Sequence, residues 1–397
     1  MKYESYIMED ALECIIDYRG KTPKKSEEGI LTLSAKSVRD GYIDYSQCYY
    51  ISEEEYRKFM VRGFPKVGDV LLTTEAPLGV TARLDRDDVA LAQRLLTLRG
   101  KKDILDTGYL YYYLRSPIGQ GKLLERQTGT TVTGIKQAEF RKIEISLPAI
   151  DIQRKVASVL ELLDEKIKMN NNANKNMEQQ LDALLIKYTD SEDAVPAKLG
   201  EYLYIKGRIG WKGLKKNEYL PLSAYRIING ETLTKSGIDW DKAGYITEER
   251  YEESPEIMLQ EGDILLSKDG TIGKIGYVDS LELPTSVASG IFVIRNEKPE
   301  IISTTFIYYL LRSRLFDAFV TARTEGSVIP HLYQKDFMEF EFPLPDSTKM
   351  KEFGDIADPL FEQFFANLKE NRTLASLRDS LIPELISGRV DVSDLPL

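Results

Sequence analysis

The chain has 397 residues, of which 42% are hydrophobic and 29% charged, and this length predicts at least two domains rather than one core. There is no run of about 18 apolar residues and no basic-then-apolar amino terminus, so the sequence predicts neither a membrane span nor a secretory signal, and the cytoplasm is the expected location. Two cysteines and one histidine are too few for a disulfide framework or a common zinc ligand set.

Taken in chain order, the first half predicts a mixed α+β unit. Short buried strands are expected at 69–74 and 91–99, and a helix at 106–124. The tyrosines inside that helix could form a base-stacking surface. Packing in the core is favoured, because a similar segment in the second half of the chain keeps the spacing but has Leu310 in place of a tyrosine. An alternating strand with Ile143, Ile145 and Leu147 on one side then ends at Pro148.

The second half repeats this order at a spacing of roughly 195 residues. Strands are expected at 263–267 and 290–295, and a helix at 303–322 begins near Ser303 or Thr304. The matching segments are 31–44 with 220–233, 50–56 with 245–251, 66–84 with 260–278, and 112–116 with 309–313. The two copies indicate a duplicated globular unit rather than a solenoid.

Each half closes with a predicted long helix. In each helix one set of residues, mostly apolar, recurs at alternating steps of four and three, which is the spacing of a coiled-coil seam. In the first helix the seam is Val156, Leu160, Leu163, Ile167, Asn170, Asn174, Met177, Leu181, Leu184 and Tyr188. In the second it is Phe353, Ala357, Leu360, Phe364, Asn367, Asn371, Leu374, Arg378 and Leu381. A helix of about 40 residues would span about 60 Å.

Both seams carry two asparagines near their midpoints. If the helices pair antiparallel, Asn170 and Asn174 would face Asn367 and Asn371 in one polar layer, and such a layer fixes register at a cost in stability. A parallel pair would also align them, but the intervening domain favours the antiparallel arrangement. Two unrelated amphipathic helices, each packed on its own domain, are the alternative.

Catalytic motifs are absent from the sequence. There is no phosphate loop, GxGxxG, HExxH or GxSxG elbow, and segment 270–276 (GTIGKIG) lacks the phosphate-loop spacing. The sole histidine, His331, has no nucleophile at a supporting spacing, so a catalytic role is disfavoured.

The net charge of −10 weighs against binding of polyanions through overall charge, but local basic clusters remain compatible with DNA binding. Between residues 200 and 226, six basic residues stand against two acidic ones, and Arg19, Lys21, Lys24 and Lys25 form a similar cluster in the first half. The turn around Lys274 suits a phosphate contact, and a tight hairpin with a solvent-facing lysine explains it equally well.

Several segments together resemble the specificity subunit of type I restriction-modification enzymes. They are the two strands ending in Leu-Pro before a long helix, GDILLSKDGTIGKIGYV (262–278), GRIGWKGLKKNEY (207–219) and SLIPELISGRVDV (380–392). The resemblance covers essentially the whole chain. One departure is the first-half turn, EAPLGV at 75–80, where the second half has DGTIGK.

The resemblance implies a non-catalytic, α+β, DNA-binding subunit in which each half reads one half of a bipartite site. Residues 1–148 and 191–345 would be target recognition domains, and 149–190 and 346–397 would be spacer helices, the latter with a carboxy-terminal tail. The implied partners are double-stranded DNA, two modification subunits that carry S-adenosylmethionine, and restriction subunits that use ATP and Mg²⁺, with no cofactor on this chain.

The expected DNA contacts combine basic residues with small polar ones. In the first half they are Arg19, Lys21, Thr73, Thr74, Thr130, Thr131 and Lys136. In the second half they are Arg208, Trp211, Lys212, Lys215, Lys216, Lys268, Thr271, Lys274, Ser327 and His331. The alternative function is a bivalent scaffold that binds proteins and no nucleic acid, which the acidic net charge favours.

Overall fold

The computed structural model describes residues 2–18, 20–129, 133–208, 213–234, 237–324 and 331–395. The chain divides into two compact units. Unit 1 comprises Met1–Lys168 and Asn371–Leu397, and unit 2 comprises Met169–Glu370. Within the described ranges, no helix is both long and apolar enough to cross a membrane.

Unit 1 combines small sheets with helices. Its strands are β1 (Tyr3–Ile7), β2 (Leu12–Asp17), β3 (Ile30–Leu33), β4 (Val38–Arg39), β5 (Tyr42–Ile43), β6 (Tyr49–Ile51), β7 (Val70–Thr74), β8 (Leu78–Arg83), β9 (Val89–Leu91), β10 (Leu95–Gly100) and β11 (Glu144–Pro148). Its helices are α1 (Met8–Ala11), α2 (Glu53–Phe59), α3 (Thr107–Arg115), α4 (Pro117–Glu125), α5 (Gln137–Phe140) and the first part of α6 (Ile150–Thr189). The sheet orders are β2-β10-β7-β8, β6-β3-β9, β1-β11 and β4-β5.

Unit 2 repeats these sheets. Its strands are β12 (Val195–Lys198), β13 (Leu203–Gly207), β14 (Tyr225–Ile228), β15 (Leu233–Thr234), β16 (Gly237–Ile238), β17 (Gly244–Ile246), β18 (Ile264–Ser267), β19 (Ile275–Tyr277), β20 (Thr285–Val287), β21 (Ile291–Asn296) and β22 (Glu341–Leu344). Its helices are α7 (Glu248–Glu252), α8 (Thr304–Leu311), α9 (Arg314–Thr324), α10 (Gln334–Met338) and most of α11 (Ser347–Ile386). The orders β13-β21-β18-β19, β17-β14-β20, β12-β22 and β15-β16 match unit 1 sheet for sheet. The predicted duplication is thus visible in the topology.

The Gly-Asp pair at the start of each repeated motif has a structural role. The buried Asp69 carboxylate accepts hydrogen bonds from Nε and Nη2 of Arg99, both 2.7 Å, and from the Lys66 amide. In unit 2, Asp263 accepts from Nε (2.7 Å) and Nη2 (2.8 Å) of Arg295 and from the Gln260 amide. Each carboxylate therefore ties the turn before one strand to the neighbouring strand of the same sheet.

The predicted single helices at 106–124 and 303–322 are each two helices. In unit 1, α3 ends at Arg115, because Pro117 has no amide hydrogen with which to continue the helical hydrogen-bond ladder. Ser116 lies between the two helices, and its Oγ accepts from the Gly119 amide and so caps α4. In unit 2, α8 ends at Leu311 and α9 begins at Arg314, while Ser303 caps α8 as predicted. The strand expected at 91–99 is also split, into the end of β9 and β10.

The tyrosines of α3 pack in the hydrophobic core, which is the interpretation that the sequence favoured. Tyr109, Tyr111, Tyr112 and Tyr113 are each at most 3% exposed and belong to the hydrophobic core of unit 1. The side of β11 predicted to face inward is also buried, since Ile145 and Leu147 join the same core. These residues stabilise the fold and offer no stacking surface.

The long helices pair antiparallel, with every predicted seam position buried or half-buried. In unit 1, Val156 and Leu160 share a core with Ile382, Leu385 and Ile386, all near the end of α11. In unit 2, Tyr188 near the end of α6 packs edge-on against Phe353 near the start of α11, with 5.6 Å between the ring centroids. A residue late in one helix thus meets one early in the other.

Polar side chains interrupt the seam in unit 2. Asn367 donates to Oδ1 of Asn174 at 2.8 Å, and Asn174 donates to the Phe364 carbonyl at 3.0 Å. Asn170 donates to Glu370 at 2.7 Å. Asn170, Asn174 and Asn367 are buried, whereas Asn371 belongs to unit 1, so its place in one shared layer stays a prediction.

Candidate nucleic-acid interface

The turn between β18 and β19 gathers several of the predicted contact residues of unit 2. Ser267 Oγ donates to the Thr271 carbonyl at 2.7 Å and accepts from the Lys274 amide at 2.9 Å, so one hydroxyl fixes both sides of the turn. Gly270 (φ 67°) and Gly273 (φ 91°) adopt backbone conformations that favour glycine. The Lys274 ammonium donates to the Gly230 carbonyl at 2.7 Å, and Thr271 is exposed at the tip.

The corresponding turn of unit 1, between β7 and β8, is held by the same pair of hydrogen bonds. Thr73 Oγ1 donates to the Pro77 carbonyl at 2.6 Å and accepts from the Val80 amide at 2.9 Å, as Ser267 does in unit 2. Thr73 is fully buried and Thr74 is 7% exposed. The structure therefore argues against both as DNA contacts, because their hydroxyls lie inside the sheet.

Lys268 precedes the turn of unit 2 and is half-buried. Its ammonium lies 4.8 Å from the centroid of the Phe292 ring. Burial lowers the pKa of Lys268, and the neighbouring Asp269 carboxylate partly opposes this effect. The Leu332 amide donates to the Lys268 carbonyl at 3.0 Å, which brings His331 to the same turn.

His331 joins Asp269 beside that turn. The imidazole Nδ1 is hydrogen-bonded to a carboxylate oxygen of Asp269, and the two backbones form an isolated bridge. The imidazole also meets the exposed Tyr333 ring edge-on, with centroids 4.5 Å apart. His331 is therefore brought beside the hairpin that carries Lys268, Thr271 and Lys274.

Arg208 is the clearest correction to the sequence-based assignment. Its side chain is 1% exposed, and its guanidinium donates to the Val287 carbonyl (3.1 Å) and to the hydroxyls of Ser254 (3.4 Å) and Ser286 (3.3 Å). Burial, followed by the charge of Arg250, lowers the pKa of this guanidinium. Arg208 organises the interior of unit 2 and is not available to a surface ligand.

The remaining predicted lysines lie on the surface. Lys21, Lys136, Lys215 and Lys216 are exposed. Lys136 directly follows Ile135, whose amide donates to the Thr74 carbonyl at 2.9 Å, so it lies near the turn of unit 1. Lys215 and Lys216 belong to a separate loop with Glu218, whose side chain accepts from the Lys215 amide. The predicted contacts Arg19, Thr130, Thr131, Trp211, Lys212 and Ser327 lie outside the described residues.

Arg94 is a candidate that sequence reasoning missed. It is exposed beside the turn of unit 1, where its Nε lies 2.8 Å from a carboxylate oxygen of Glu75. It also has φ 67°, which is uncommon for a residue with a Cβ. No local pattern around Ala-Gln-Arg-Leu signals this position.

The arrangement presents hydrogen-bonding and cationic groups but nothing that resembles a reaction centre. Among the described residues, no group of three or more His, Cys, Asp or Glu side chains could hold a metal ion. Such a surface can bind and discriminate a polyanion.

Comparison with known proteins identifies a matching family model. The model of the type I restriction modification DNA specificity domain matches twice, at residues 18–179 and 199–374. The two matches correspond to the two copies of the internal repeat and together cover most of the chain.

Curated relatives agree with that match. The type I restriction enzyme MjaIX specificity subunit of Methanocaldococcus jannaschii is 25% identical over 376 residues, covering 87% of this chain and 82% of the relative. The MjaVIII specificity subunit of the same organism is 20% identical over 386 residues, covering 90% and 88%.

A solved structure shares the fold. The crystal structure of the S subunit of the type I restriction-modification system from M. genitalium aligns with a TM-score of 0.63 at 18% identity. The alignment covers 97% of this chain and 96% of that one.

Proposed function

Because the chain belongs to the family of type I restriction-modification DNA specificity proteins, we propose that its two halves each read one half of an asymmetric, bipartite DNA sequence. The chain is a non-catalytic specificity subunit. Its role is therefore to select the DNA site that partner subunits then modify or cleave.

One observation carries the proposal of two different half-sites. The sheets have the same order in both units, whereas the turn that carries the exposed polar groups is Glu-Ala-Pro-Leu-Gly in one unit and Asp-Gly-Thr-Ile-Gly in the other. A shared scaffold with different tips would bind DNA in the same manner at both sites and select different bases.

In this proposal residues 1–148 and 191–345 are the target recognition domains, and 149–190 and 346–397 are spacers. The spacer helices set the number of unread base pairs between the half-sites. The exposed lysines contribute phosphate contacts that are independent of sequence, namely Lys21, Lys136, Lys215 and Lys216. Lys274 supports the turn through Gly230 and faces DNA from there.

The proposed partners are two modification subunits and the restriction subunits of the same system. The duplicated architecture offers two equivalent docking surfaces, which fits two copies of a modification subunit. S-adenosylmethionine would reside on the modification subunits, and ATP with Mg²⁺ on the restriction subunits.

Selection from a library of random duplexes tests this function. The full chain, assembled with its modification subunits, should enrich two short conserved blocks separated by a gap of constant length. Enrichment of no sequence, together with binding that is equal on all duplexes, would contradict the proposal. Absence of any DNA binding would favour the bivalent protein scaffold instead.

A further inference from the structure

The two units hold an acidic side chain at the same point of their repeated hairpin. Glu75 follows Thr74 in unit 1, and Asp269 follows Lys268 in unit 2. Each forms an isolated backbone bridge with the segment that follows the helix pair of its unit, Glu75 with Gly134 after α4 and Asp269 with His331 after α9. The acidic residue therefore has an equivalent backbone setting in both copies.

What each carboxylate holds is different. Glu75 pairs with Arg94, which comes from the segment before β10, with Nε and Oε1 2.8 Å apart. Asp269 pairs with Nδ1 of His331, which comes from the segment after α9. Both units thus have an acidic residue at this position, but its partner comes from a different segment in each unit.

Fold stability does not account for either pair. Arg94 is 53% exposed in its side chain and His331 is 34% exposed, and ion pairs or hydrogen bonds between such solvent-accessible side chains contribute little to folding. Arg94 also adopts φ 67° at the position where unit 2 has Gly290, since the amides of Thr74 and Lys268 donate to the carbonyls of Arg94 and Gly290 respectively. A side chain kept in a strained backbone conformation is typical of functional positions.

We propose that Glu75 and Asp269 are positioning residues that each orient a base-reading side chain, Arg94 toward guanine in one half-site and His331 toward an exocyclic amino group in the other. This inference rests on the proposed DNA-reading function. It adds which residue reads a base in each half and which class of base it selects.

The hydrogen-bond chemistry of each pair defines the base. A guanidinium has only donors, and with Nε directed to Glu75 its Nη groups match the O6 and N7 acceptors of guanine in the major groove. A carboxylate only accepts, so in the neutral imidazole the hydrogen bond to Asp269 places the proton of His331 on Nδ1, and Nε2 then presents a lone pair. The major-groove donors that suit this lone pair are the amino groups of adenine and cytosine.

The test is a duplex-library selection with the full chain and its modification subunits, repeated for Arg94→Ala, Glu75→Ala, His331→Phe and Asp269→Ala. Arg57→Ala and Arg323→Ala are matched controls, since these arginines form exposed ion pairs with Glu53 and Asp336 in the same two units. Glu75→Gln and Asp269→Asn keep an oxygen acceptor and should partly restore selectivity.

Arg94→Ala and Glu75→Ala should remove preference for one guanine in one block, a loss on the order of 10-fold to 100-fold in discrimination, and leave the other block unchanged. His331→Phe and Asp269→Ala should do the same for one adenine or cytosine in the other block. Unchanged preferences in all four variants, a uniform loss across sequences, or selection of guanine through His331 would overturn the inference. Failure of the unaltered chain to select any motif would instead defeat the proposed function.

Discussion

The buried pair of Asp263 and Arg295 offers a sharp test of how the repeated unit is held together. Asp263 is 1% exposed in its side chain and Arg295 29%. Asp263→Ala removes two guanidinium hydrogen bonds and one to the Gln260 amide, and it leaves a partly buried cation without a counter-charge. Removing one partner of a buried pair costs about 3–5 kcal/mol, and the partial exposure of Arg295 favours the lower end, about 3 kcal/mol.

Tryptophan fluorescence can follow this effect in unit 2 alone, because both tryptophans, Trp211 and Trp240, belong to Met169–Glu370. With a urea dependence of about 1–3 kcal/mol per molar, a loss of about 3 kcal/mol should lower the fluorescence midpoint by roughly 1–3 M. Asp336→Ala is the control, since its ion pair with Arg323 is exposed and should contribute at most about 1 kcal/mol. A midpoint for Asp263→Ala that matches the control would refute the reasoning.

Three further outcomes are expected. Lys268→Met should stabilise unit 2 by roughly 1 kcal/mol in urea unfolding, since burial lowers the pKa of that ammonium, and it should weaken DNA binding; lower stability would count against this account. Asn174→Leu should lower the free energy of unfolding by about 1–3 kcal/mol by leaving Asn367 buried without its partner, and adding Asn367→Leu should recover stability, whereas additive losses would contradict a shared bond. Lys215→Ala with Lys216→Ala should reduce the salt dependence of DNA affinity by about two phosphate contacts on every sequence, and an unchanged slope would remove both from the interface.

Hydrophobic periodicity carried much of the fold prediction. The seams of α6 and α11 could be predicted because each position is decided by neighbours three and four residues away. The repeat itself was equally readable, since duplicated strands keep the same buried pattern. Ser116-Pro117 is a local signal for the break between α3 and α4, because a residue that precedes a proline disfavours the helical conformation.

The interface was harder to predict because its geometry depends on distant segments. An arginine is usually a surface residue. Arg208 is buried because it is hydrogen-bonded to Ser254 and Ser286, which lie 46 and 78 residues away in the sequence. The position of Arg94 depends on its positive φ angle and on its ion pair with Glu75, and no local sequence pattern signals either of them. The sequence can therefore point to basic residues near a turn as a class, and which of them contact DNA stays a prediction.

The division of the chain into units has a consequence for the order of folding during synthesis. Unit 2 is one continuous segment, so all of its core residues have been synthesised once Glu370 has been added. Unit 1 also requires Ile382, Leu385, Ile386 and Val392, which share a core with Val156 and Leu160. The half that is translated first is thus completed last, and until then the first turns of α6 expose an apolar surface that a ribosome-bound chain must keep from aggregating.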